Sequence, residues 1–122
     1  MSDTEMMDAG VNRALIVRQP WIDMILKGEK VWEMRGKPTK ITGRIGLIEQ
    51  GTGLIVGEVT LERCGRELTN LVTAKATTVF HKVDDLGLLK KWRYPWVLSN
   101  PRRYGSPVPY SHPKGAVTWV KI

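Results

Sequence analysis

The 122-residue sequence contains one cysteine and two histidines. A lone Cys64 cannot form an internal disulfide, so the fold must rest on its own packing, and the unpaired thiol fits a reducing compartment. No apolar run approaches the roughly 20 residues that a membrane-spanning helix requires. The first residues carry Asp3, Glu5 and Asp8 in place of a basic-then-apolar leader, so the expected location is cytoplasmic, with no membrane partner. His81, His112 and Cys64 show no metal-ligand spacing. Gly36-Lys37-Pro38-Thr39 lacks the upstream glycine of a phosphate-binding loop, and no serine sits in a nucleophile elbow. Gly51-Thr52-Gly53 is only part of a dinucleotide fingerprint and reads as a turn. The sequence therefore predicts neither metal nor cofactor, and most common enzyme classes have no motif behind them.

Acidic residues are absent after Asp85, whereas Lys90, Lys91, Arg93, Arg102, Arg103, Lys114 and Lys121 follow it. Residues 1–85 are thus formally neutral, and the net charge of +7 resides in the last 37 residues. The same stretch holds six of the nine aromatic residues: Trp92, Tyr94, Trp96, Tyr104, Tyr110 and Trp119. Cations interleaved with aromatic rings suit a polyanion with stackable bases. A solvated basic face over an aromatic core would produce the same composition.

Residues 1–12 read as a disordered tail, and 13–122 as one domain. Ala14-Leu15-Ile16-Val17 is a buried-strand candidate, and Pro20 can open a short helix. Trp21, Ile22, Ile25 and Leu26 carry its apolar face, and Gly28 stops it. A strand from Val31 to Arg35 places Glu33 and Arg35 on one face. Two strands, 44–50 and 53–63, flank the Gly51 turn, and Gly57 marks a bulge or a close backbone approach. Residues 68–89 suit one or two short helices. A strand around Trp96-Val97-Leu98, a Pro-rich connection over 101–113 and a last strand over 116–122 complete the chain. This pattern predicts an α+β domain, a small β-barrel with short flanking helices. Trp21, Trp32 and Trp119 are expected in its core, while the run Trp92, Tyr94, Trp96 leaves some aromatic surface for stacking. Both histidines read as surface or turn residues.

Two segments stand above this background. Arg18-Gln19-Pro20-Trp21 is followed by Gly28-Glu29-Lys30-Val31-Trp32-Glu33-Met34-Arg35, giving the spacing Gly-x-Lys-x-x-Glu-x-Arg. Gly43-Arg44, Leu54-Ile55-Val56-Gly57, Ser99-Asn100-Pro101-Arg102 and Lys114-Gly115 follow in order. Together these segments resemble the ASCH domain family, a branch of the PUA-like superfamily, over nearly everything from Ala14 to Ile122. The resemblance implies a PUA-like barrel with a cleft beside the motif strand and a role in RNA metabolism. Some members are hydrolases, either ribonucleases or amidohydrolases acting on acetylcytidine. This chain departs from the acetylcytidine hydrolases at two places. Glu33 stands where they have threonine three residues after the lysine, and residues 68–89 offer Asp84 and Asp85 but no glutamate.

The expected function is therefore binding of RNA, other single-stranded nucleic acid or a modified nucleoside. Lys30, Glu33 and Arg35 would form one wall: the carboxylate accepts from a base amino group, and the guanidinium forks onto a carbonyl or phosphate. Ser99, Asn100, Arg102, Arg103 and Tyr104 would form another, on a loop. If the protein is a hydrolase, Lys30 and Glu33 are the candidate catalytic pair, with Lys30 as a base of depressed pKa. Two blander alternatives are an ion network that only braces the barrel and an adaptor whose basic face docks an acidic protein.

Overall fold

Ala14 to Val17 are all buried, as suits a strand covered on both faces. In the computed structural model of the protein, which describes residues 7, 8 and 10–122, they belong to strand β1 (Arg13–Val17). Helix α1 (Trp21–Leu26) follows, burying Ile22, Ile25 and Leu26 at helical spacing. Gly28 ends it at φ 79°, a left-handed conformation that side chains disfavour. Strands β2 (Trp32–Arg35), β3 (Gly43–Glu49), β4 (Leu54–Cys64), β5 (Tyr94–Pro109) and β6 (Trp119–Lys121) complete one sheet. Two short helices, α2 (Leu71–Ala76) and α3 (Thr78–His81), and a 3₁₀ turn (Leu86–Lys90) lie between β4 and β5.

The sheet order is β2-β5-β4-β3-β1-β6; β1 and β3 run parallel, and every other neighbouring pair is antiparallel. The sheet curls into a half-barrel, so strands near its two ends meet. Trp96 of β5 stacks on Trp119 of β6 with ring centres 5.8 Å apart. Alternation divides the apolar residues between the two faces. Leu15, Val17, Ile45 and Leu47 pack inside with α1 and Trp96, whereas Ala14, Ile16, Ile48 and Tyr104 pack outside. The α+β half-barrel with short helices is the architecture expected from the sequence.

Three details differ from that expectation. The Pro-rich segment 101–113 is largely strand, because β5 continues to Pro109. The last strand is shorter, spanning only Trp119–Lys121. Residues 1–6 and 9, seven of the twelve in the expected tail, lie outside the described residues. Within the remainder, Val11 is buried, Met7 packs against the outer cluster, and Asp8 reaches Arg44 and Arg102, each at 3.3 Å. Gly57 behaves as its sequence context predicts. The β4–β5 register shifts beside it, and a Cβ there would stand 2.6 Å from both the Arg102 carbonyl oxygen and Leu26 Cδ2. The missing side chain lets α1 and β5 close over β4.

Candidate nucleotide-binding cleft

The turn after α1 aims Lys30 inward. Its backbone N–H, like that of Glu29, donates to the Met24 carbonyl, and β2 begins two residues later. The Lys30 side chain is 2% exposed. Its ammonium donates to the His81 carbonyl, lies 3.9 Å from Glu33 Oε1 and 5.9 Å from the centre of the Trp21 ring. Burial pushes the ammonium pKa down to about 8; Glu33 opposes the shift and Arg35 adds to it.

Glu33 and Arg35 share a face of β2, as strand alternation requires. Arg35 grips one carboxylate oxygen, Glu33 Oε2, with Nη2 at 2.7 Å and Nε at 2.9 Å. The same Nη2 donates to the Ile16 carbonyl at 2.7 Å, so Arg35 spans from the β2 end of the sheet to β1 near the other end. Glu33 Oε1 accepts no hydrogen bond among the described residues and lies 3.9 Å from the Lys30 ammonium. The motif therefore yields a buried cation, a half-satisfied carboxylate and a guanidinium that closes the barrel seam.

His81 completes this arrangement, buried at the end of α3 where the sequence predicts a surface or turn residue. It is fully buried, because α3 folds back over β2 and Val31 donates to the Phe80 carbonyl. Its Nδ1 accepts from the Val83 N–H at 2.9 Å, which leaves Nε2 to donate to the Ala74 carbonyl at 2.8 Å. That pairing fixes a neutral tautomer. Burial lowers its pKa, as does Lys30; the Ala74 hydrogen bond and Asp84 oppose them. The locked ring holds the 81–83 backbone in place, and with it the carbonyl that receives Lys30.

Lys30, Glu33 and Arg35 line a cleft of about 540 Å³ at the barrel seam. Trp21 and Trp92 form its aromatic wall, edge to face at 5.4 Å and 88°. Arg18 lies over both rings, 5.1 Å from each centre. Lys91, on the same rim, stands 5.9 Å from the Trp92 centre. Trp21 is partly buried: it packs against two of the apolar clusters, and its ring also lines the cleft wall. Arg18 and Trp21 belong to the motif segment already noted, and Lys91 and Trp92 to the basic aromatic stretch; only their convergence was hidden. Trp32 and Trp119 are partly buried against the cores, and Trp96 lies inside the barrel, where its indole donates to the Lys37 carbonyl at 3.0 Å.

The second predicted segment lies elsewhere. Ser99 to Tyr104 is strand, not loop, and none of its residues lines the cleft. Asn100 sits at φ 52° and its carbonyl accepts from Arg44. Ser99 donates to Glu62, and Arg103 pairs with Asp23 at 2.8 Å. Arg102 pairs with Asp8 and with the fully buried Glu58, and the buried Tyr104 hydroxyl donates to Glu58 at 3.3 Å. Tyr104 belongs to the outer cluster, whereas Arg35 lies over Trp96 of the inner one, 5.7 Å from its centre. The two segments are therefore not brought into one pocket. Among the described residues no group of three His, Cys, Asp or Glu side chains could hold a metal ion, and no helix is long and apolar enough to cross a membrane.

Comparison with known proteins gives a consistent result. Residues 15–108 match the family model described as ASCH domain. No curated protein matches the sequence. Among solved structures, ASCH from Zymomonas mobilis superposes with a TM-score of 0.71 at 11% identity, covering 94% of this chain and 89% of that one. A single-residue mutant of that protein gives 0.65 at 10% identity, covering 90% and 88%.

Proposed function

The chain belongs to the ASCH domain family, and from that membership and the seam cleft we propose that it binds single-stranded RNA, holding one nucleotide in the cleft. The family is in general one of RNA-binding, PUA-like domains. The observation that carries the reading is the cleft itself: an aromatic wall of Trp21 and Trp92 beside a floor of Lys30, Glu33 and Arg35. A base stacks against the wall whatever its identity, contributing roughly 1–3 kcal/mol. Glu33 Oε1, with no donor of its own, accepts from an exocyclic amino group. Cytosine, adenine and guanine carry such a group and uracil does not. The Ser99–Tyr104 segment takes no part, since its side chains serve the sheet.

The test is titration of labelled oligocytidylate and oligouridylate against wild type, Trp92→Leu and Glu33→Gln. Oligocytidylate binds more tightly to wild type; Trp92→Leu weakens both ligands, and Glu33→Gln removes the discrimination. Equal affinities for all three proteins would overturn the reading.

One observation favours a second reading, hydrolysis in the same cleft. With the Lys30 pKa at about 8, roughly a tenth of the molecules carry a neutral amine at pH 7, enough for general-base chemistry. Metal-independent release of product from RNA or from an acetylated cytidine, abolished in Lys30→Ala while ligand affinity persists, would establish it. Unchanged substrate on prolonged incubation would exclude it.

A further inference from the structure

Five charged side chains line the cleft, and four of them are basic: Arg18, Lys30, Arg35 and Lys91. Lys30 and Arg35 have Glu33. Arg18 and Lys91 have no carboxylate within salt-bridge distance among the described residues, although both stand on the rim. Each is held against an aromatic face: Arg18 over Trp21 and Trp92, Lys91 over Trp92. Arg18 and Lys91 therefore converge on one ring, at 5.1 Å and 5.9 Å from its centre. The contrast with the arginines of β5 is direct, since Arg102 and Arg103 are both engaged by acids.

A neutral ligand would make no use of this rim charge. A cation already ordered on an aromatic face loses little further freedom on binding an anion, and the guanidinium fork suits two oxygens of one phosphate. The aromatic wall that takes a base thus has a cationic rim, and in a nucleotide the phosphate lies one ribose from its base. We infer that Arg18 and Lys91 form a phosphate subsite at the mouth of the cleft, so that the cleft selects phosphorylated nucleotide units over free nucleosides. This inference rests on the cleft being the binding site. It adds that the cleft itself reads a phosphate of the bound nucleotide and names the side chains that do so.

The experiment measures affinities of wild type, Arg18→Gln and Lys91→Gln for cytidine, its 5′- and 3′-monophosphates and a 3′,5′-linked tricytidylate. Both substitutions are at exposed positions; circular dichroism and thermal melting confirm that each variant is folded. Lys90→Ala, adjacent in sequence but outside the cleft lining, controls for diffuse charge. Wild type is expected to bind at least one phosphorylated ligand at least about tenfold more tightly than cytidine. Each Gln variant reduces that preference to less than about threefold with little change for cytidine, and Lys90→Ala leaves it intact. A best ligand that is a monophosphate identifies a free nucleotide as the natural occupant; tricytidylate as the best ligand identifies in-chain phosphate. Cytidine binding as tightly as every phosphorylated ligand, or a preference that survives both Gln variants or falls equally in Lys90→Ala, would overturn the subsite. If cytidine still bound in a Trp92-dependent manner, the proposed function would stand without it. Absence of binding by all four ligands would overturn both.

Discussion

Lys30→Met separates a functional lysine from a structural one. The side chain keeps its length and loses its charge in a site that is 2% exposed. Burial lowers the Lys30 pKa from 10.5 to about 8, so the charged form is disfavoured in the fold by roughly 3 kcal/mol relative to the neutral form. Against this, Met forfeits the bond to the His81 carbonyl, worth about 1 kcal/mol or somewhat more. Lys30→Met is therefore more stable than wild type at pH 7, by about 1–2 kcal/mol. The folded pKa lies below the unfolded one, so between pH 8 and 10.5 the unfolded chain binds the extra proton. The wild-type penalty is full below pH 8 and disappears as pH rises past 10.5, taking the advantage of Met with it. Urea unfolding of both proteins at pH 7 and pH 10.5, followed by tryptophan fluorescence, measures the difference directly. A Met variant destabilised by more than about 1 kcal/mol at pH 7, or a pH-independent difference, would show that Lys30 is a brace and refute the reasoning.

Three further outcomes follow from the geometry. The His81 pKa is lowered in the fold, so its share of stability is intact above the unfolded value of about 6.5 and is lost as pH falls below it; wild type should lose stability between pH 6.5 and 5 faster than His81→Gln, and parallel curves would contradict this. Gly57→Ala sets a Cβ 2.6 Å from the Arg102 carbonyl oxygen, and thermal melting should show a loss of about 1–3 kcal/mol, an unchanged melting temperature being the contrary result. Arg35→Ala and Arg102→Ala share no partner among the described residues, so their effects on stability should add within about 0.5 kcal/mol in a double-mutant cycle, whereas coupling above about 1 kcal/mol would place them in one network.

The first third of the chain was legible because its signals are local. Apolar spacing, Pro20 and Gly28 mark β1, α1 and β2 with no help from elsewhere, and alternation alone puts Glu33 beside Arg35. β5 was illegible past Asn100 because Pro101, Gly105, Pro107 and Pro109 read as connection. β2 pairs with β5 only over Tyr94–Val97, so the later part has β4 on one side and an open edge on the other. Prolines are tolerated there because no second ladder needs their N–H. The positive φ of Asn100 and the register shifts around Gly57 absorb the remaining misfit. The cleft was half legible. Its floor is a contiguous motif, but His81 joins it across 51 residues, and the Arg18–Trp92 contact depends on how the half-barrel curls. No periodicity encodes either contact. The concentration of positive charge after Asp85 pointed to a polyanion, yet it could not separate Arg102, committed to Glu58, from Lys91 on the open rim.

The most direct test of the cleft as the binding site is an NMR titration following the indole N–H resonances of the five tryptophans as a short oligocytidylate is added. Trp21 and Trp92 line the cleft, Trp96 is tied to the Lys37 carbonyl within the barrel, and Trp32 packs against Phe80 on the helical side. The cleft reading predicts saturable shifts at the Trp21 and Trp92 indoles, accompanied by backbone shifts at Arg18 and over 30–35, with the Trp32 indole and the backbone of residues 99–104 unmoved. Saturation confined to 99–104, or weak shifts spread over every exposed lysine and arginine, would contradict it.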